Sequence, residues 1–103
     1  MSLHTVRMFN EYGCPWPFWG DDGFLEQDDF PLPSELARDV LAWTREFDLH
    51  FDYENGWPTV EQRDGSRREG ERLAERAQEA VGPGVTIDFQ YWETHVGGQD
   101  LPR

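Results

Sequence analysis

The chain of 103 residues contains no lysine, a single cysteine and no apolar run near the length of a membrane span. Each shortage removes a class of answer. With Cys14 alone, an internal disulfide and a cysteine-built zinc cage within one chain are excluded, so the fold must hold by its own core. A bilayer-crossing helix needs about 20 predominantly apolar residues. The N-terminal Met-Ser-Leu-His-Thr-Val-Arg has no charged lead followed by an apolar stretch. The expectation is a soluble, cytoplasmic protein without membrane or export segments. All nine basic residues are arginines, planar forks suited to pairing with carboxylates.

Positive charge is also scarce, and the net charge is −12. The imbalance is local. Residues 10–61 hold thirteen carboxylates against two arginines, Arg38 and Arg45, whereas Gln62 to Val81 hold five acids and five arginines. Large rings are interleaved with the acids of the first stretch, among them Trp16, Trp19, Trp43, Phe47, Phe51 and Trp57. A one-signed field of this kind attracts a basic partner and repels nucleic acid and anionic lipid. The arginines of residues 62–81 are cancelled by neighbouring acids, so the phosphate attraction that dominates nucleic-acid affinity is missing. No nucleic-acid and no membrane partner is expected. An aromatic content of 15% distinguishes the chain from a disordered acidic segment, and its length suits one domain with one modest core.

Leu3 to Phe9 alternate with strand period, Val6 and Met8 facing the core. Residues 10–33 carry four prolines and three glycines, which forbids a helix or a long strand and predicts a long loop packed through its rings. After it, Leu36, Val40, Trp43, Phe47 and Phe51 recur at helical spacing, with Ser34 placed to cap a helix over 35–50. Two capping boxes follow, Thr59 with Gln62 and Ser66 with Glu69. They predict a short turn, a break at Asp64-Gly65, and a second helix over 67–81 whose buried face is small: Gly70, Leu73, Ala74, Ala77 and Val81. On its solvent face Arg68, Arg72 and Arg76 precede Glu71, Glu75 and Glu79 by three positions. Val85 to Tyr91 alternate as a second strand, and residues 94–103 are expected to fray.

The predicted fold is thus a small single α+β domain, ordered strand, long loop, helix, helix, strand. Its two-stranded antiparallel sheet packs on two helices, with Arg7 opposite Asp88. Two strands alone are marginal. Either a strand from the loop or a second copy of the chain must extend the sheet, and the homodimer is preferred because Phe9 and Trp92 fall on the outward face.

Candidate chemistry is thin. Cys14 lies near Glu11, Asp21 and Asp22, whose field opposes the thiolate, so an inert thiol is expected. His50 among Asp48, Asp52 and Glu54 has the wrong spacing for a calcium loop, and a histidine at a helix C-terminus has a dipole reason to be there; neither metal nor cofactor is expected. Asp21-Asp22 and Asp28-Asp29 are adjacent loop acids, without the rigid separation that a catalytic pair requires. No catalytic residue is assigned, and the balance is against an enzyme.

The leading functional expectation is a small acidic interaction module that presents carboxylates and rings to a basic protein partner. Inhibitors of nucleases, immunity proteins and nucleic-acid mimics share this compositional profile. Glu11, Asp21, Asp22, Asp28 and Asp29 would steer the partner, and Trp16, Trp19 and Trp57 would anchor it. The alternative is a protein or minor enzyme binding a sugar or cationic small molecule, in an aromatic pocket between the 10–33 loop and the first helix, lined by Trp16, Trp19, Trp43 and Trp57.

Overall fold

Alternation in the first segment produces a short strand, β1 (Thr5–Met8), with Val6 and Met8 fully buried. The structure is a computed structural model describing residues 4–100, so Leu3 lies outside the described residues. The proline-rich stretch is not structureless. Phe18–Gly20 forms β2 and Gly23–Phe24 forms β3, a hairpin turning through Asp21 and Asp22. Then come α1 (Ser34–His50), α2 (Val60–Val81) and β4 (Thr86–Phe89), followed by β5 (His95–Val96) and β6 (Gln99–Asp100). The main sheet has the order β3-β2-β1-β4 and packs on both helices, while β5 and β6 form a separate two-stranded unit. The α+β architecture is as expected, and the loop supplies the strands that the sheet needs.

One direction is reversed. β1 and β4 are neighbours in the register Arg7↔Asp88, but they run parallel. The cause lies in the loop. β2 carries the chain back antiparallel along β1, so the helical hairpin starts from the other end and β4 leaves in the direction of β1. Arg7 donates to the Gly20 carbonyl of β2 at 3.3 Å.

α1 begins one residue early: Ser34 is its first helical residue, Pro33 holds the cap position, and no side chain caps the end. In α2 the first predicted box forms, Thr59 Oγ1 accepting from the Gln62 N–H at 3.1 Å. The predicted break at Asp64-Gly65 does not occur, and the helix runs unbroken for 22 residues. Tertiary bonds outweigh the glycine, whose helix penalty is about 1 kcal/mol. Trp43 Nε1 donates to the Ser66 carbonyl at 2.8 Å, and the buried Arg63 donates to the Thr94 carbonyl at 3.3 Å. Ion pairing on α2 also differs from the i,i+3 expectation. Arg67 meets Glu71 at 3.7 Å, Arg72 meets Glu69 at 3.6 Å, and Arg76 crosses to Asp39 of α1 at 2.8 Å.

The small-residue face of α2 does what its size permits. A Cβ on Gly70 would lie 2.5 Å from the Phe89 ring and 2.8 Å from Trp43, so this glycine lets α2 approach the sheet and α1 together. Leu73 and Ala77 join Val6, Met8, Phe18, Val40 and Trp43 in the principal core. A smaller core joins Phe47, Phe51, Trp57 and Val96. The free edge of β4 is held by α2: Gln78 accepts from the Ile87 N–H at 2.8 Å and donates to the Val85 carbonyl at 2.6 Å.

The last described segment does not fray. Glu93 is fully buried, Val96 is buried, and Trp57 N–H donates to the His95 carbonyl at 2.8 Å. Gly56, at φ +79°, makes this approach possible, because a side chain there would overlap the His95 carbonyl. Residues 101–103 of the predicted tail lie outside the described residues. Among the described residues, no helix is long and apolar enough to cross a membrane.

Candidate functional site

Folding sorts the acidic half by chemistry. Of its thirteen carboxylates twelve are exposed, Asp39 being the half-buried exception, while Trp16, Phe18, Phe30, Trp43, Phe47, Phe51 and Trp57 are buried. The tryptophans proposed as anchors therefore divide. Trp16, 2% exposed, donates its indole N–H to the Phe30 carbonyl at 3.2 Å within the core. Trp57, also 2% exposed, donates to the Glu93 carbonyl at 3.0 Å. Both serve the fold, because a buried indole needs an acceptor and each has found one on the backbone. Trp19 is half-buried and stacks on Phe9, with ring centroids 4.8 Å apart.

The predicted acids are exposed but occupy separate turns. Asp21 and Asp22 form the tip of the β2–β3 hairpin. Asp29 closes a second turn by accepting from the Glu26 N–H at 3.0 Å, with Asp28 beside it. Glu11 lies in a tight turn in which the Cys14 N–H donates to its carbonyl at 3.1 Å.

Around Glu11 the fold assembles a surface that spacing alone does not announce. Tyr12, 45% exposed, meets Trp92, 40% exposed, edge to face at 6.0 Å, and both rings rest on Phe47 and Phe51 of the smaller core. Trp92 is fixed by its indole N–H, which donates to the Asn10 carbonyl at 2.8 Å. Burial raises the Tyr12 hydroxyl above the ordinary phenol range, and the charges of Glu11, Asp52 and Glu93 add to the shift. Burial likewise raises the Cys14 thiol, reinforced by Glu11 and Asp48 and not by the Asp21-Asp22 pair. Glu11, Asp48 and Asp52, all exposed, are chain neighbours of Tyr12, Phe47 and Phe51 in this ring cluster. Leu49 and Tyr53, 67% and 76% exposed, are further apolar side chains at and just after the end of α1. Sequence reasoning placed Trp92 outward but had no signal for its contact with Tyr12, eighty positions away.

The aromatic pocket expected between the loop and the first helix comes apart in the fold. His50 Nε2 pairs with Glu46 at 3.3 Å, and among the described residues no group of three His, Cys, Asp or Glu side chains is placed to hold an ion. Between the loop and α1 lies a shallow groove of about 480 Å³ lined by Leu32, Leu41, Arg38 and Arg45, without a tryptophan. Trp43 and Trp57 line a different groove of about 350 Å³, between α1 and α2, with Asp39, Glu46 and Glu69 at its sides. The four-tryptophan pocket does not form, because Trp16 is spent in the core and Trp19 on the outer face of the sheet.

The chain is thus a small α+β domain that exposes rings beside carboxylates. The chain belongs to the Serratia CdiI immunity protein-like family, whose model matches residues 4–92. It therefore acts by binding a protein partner. None of the curated proteins compared with the chain matches it.

Proposed function

We propose that the protein is an immunity-type inhibitor that neutralises a basic toxin by covering it with the acidic half of the chain. The observation that carries this reading is the sorting of residues 10–61, with core-forming rings inside and carboxylates outside. Exposed charges of one sign accelerate encounter with an oppositely charged partner and orient it. Glu11, Asp21, Asp22, Asp28 and Asp29 act in this steering, together with Asp48 and Asp52 near Tyr12. Anchoring passes from the buried Trp16 and Trp57 to rings that remain accessible. The fold supports the reading further by holding those rings on buried aromatic supports, so little side-chain freedom is lost on binding.

The test is co-purification of the chain with its toxin domain, followed by binding measured across ionic strength and by protection of cells that express the toxin. A basic toxin bound in a salt-sensitive complex, with growth restored, is the expected result. An acidic partner, or a complex indifferent to salt, would overturn the basic-partner reading.

A further inference from the structure

The Tyr12–Trp92 face differs from the rest of the acidic surface in three ways. Its two rings are large, accessible and of the residue types that dominate binding energy at interfaces. They are also immobilised, Trp92 by its 2.8 Å bond to the Asn10 carbonyl and both by Phe47 and Phe51, whose exposures are 1% and 8%. Finally, acids adjoin the rings: Glu11 Oε1 accepts from the Tyr12 N–H at 3.0 Å, and the exposed Asp52 follows Phe51, whose ring Tyr12 meets. Ring faces attract cations, and the attraction adds to that of carboxylates beside them.

We infer that the exposed ring pair of Tyr12 and Trp92 receives an arginine side chain of the protein partner, its guanidinium lying on an accessible ring face beside the carboxylates of Glu11 and Asp52. Arginine is favoured over lysine because its planar, weakly hydrated head stacks on aromatic faces and binds carboxylates through a fixed fork. The inference deepens the inhibitor reading and rests on it. It names the anchor, whereas the aspartates of the two loop turns act at longer range.

Two variants test it, Tyr12→Leu and Trp92→Leu, each keeping apolar bulk while removing a ring face. Their folding is checked by thermal midpoint, and binding to the toxin domain is measured beside the wild type. In parallel, a blocked Gly-Arg-Gly peptide and its lysine and norleucine counterparts are titrated into labelled protein, and the Trp92 indole N–H signal is followed. The expected result is toxin affinity weakened about tenfold by Tyr12→Leu in a folded protein. The arginine peptide should move the Trp92 signal, with weaker lysine and no norleucine response. Toxin bound equally well by wild type and a folded Tyr12→Leu would overturn the inference while leaving the inhibitor reading intact. Equal responses to arginine and norleucine would make the ring pair an apolar contact and overturn it also. A homodimer abolished by Tyr12→Leu would assign the face to a second copy of the chain, with the same consequence. Failure of the wild type to bind any toxin would remove the underlying reading instead.

Discussion

Asn10 Nδ2 donates to Glu93 Oε2 at 3.4 Å, joining the segment after β1 to the segment after β4, and both residues are wholly inaccessible. Asn10 Oδ1 and Glu93 Oε1 have no hydrogen-bond partner. Burial pushes the Glu93 carboxyl up to about 8, against smaller opposing contributions from Asn10 and the Trp92 backbone. At neutral pH the group is therefore mostly protonated. This neutral pair sits directly beneath the proposed anchor, since Trp92 bonds to the Asn10 carbonyl and Trp57 to that of Glu93.

The first prediction concerns pH. The folded pKa of Glu93 is raised above its ordinary 4.5, so its stabilising proton is fully held in both states below that value. Stability is then lost as pH rises towards the folded value of about 8. The slope contributed by this group approaches about 1.4 kcal/mol per pH unit. Urea unfolding between pH 5 and 9 should show this decline, and Glu93→Gln, which keeps a neutral donor, should flatten it.

A paired prediction addresses the close approach of α2. Gly70→Ala should destabilise by about 1–3 kcal/mol, because the new methyl meets Phe89 and Trp43 and the packed core must shift. Gly65→Ala lies in the same helix with nothing within 4 Å, so it should stabilise by about 0.5–1 kcal/mol. Urea midpoints of the two variants should move in opposite directions.

At the edge of the sheet, Gln78→Ala removes the acceptor for Ile87 N–H and the donor to Val85 and Gly82. A loss of about 1–3 kcal/mol is expected for these part-buried groups. Amide exchange at Ile87 should accelerate more than at Val6, which lies in the interior of the sheet. Equal acceleration at both positions would show that the side chain has no local hold on β4.

Local patterns in the sequence disclosed the elements whose stability is local. The recurrence of Leu36, Val40, Trp43, Phe47 and Phe51 identified α1, and alternation identified β1 and β4, because burial on one face imposes those periods. The direction of β4 was not readable, since it depends on β2 returning along β1 and a three-residue strand leaves almost no periodic signal. The continuity of α2 depended on the bonds of Trp43 and Arg63 to other segments, which override Asp64-Gly65. At the binding surface, composition disclosed acids and rings but not their sorting. Trp16 and Trp57 have the composition of anchors and are core, while Tyr12 is part of an exposed ring pair only by meeting Trp92.

The central claim is that the acidic half captures a basic partner by long-range attraction. Its most direct test is the association rate with the toxin domain, measured by stopped flow at low and high ionic strength. Wild type is compared with the chain bearing Asn at positions 21, 22, 28 and 29 together. The account predicts a wild-type rate that falls steeply with salt, and a variant that associates more slowly at low salt with a shallower dependence. Identical rates and salt dependences for the two proteins would contradict it.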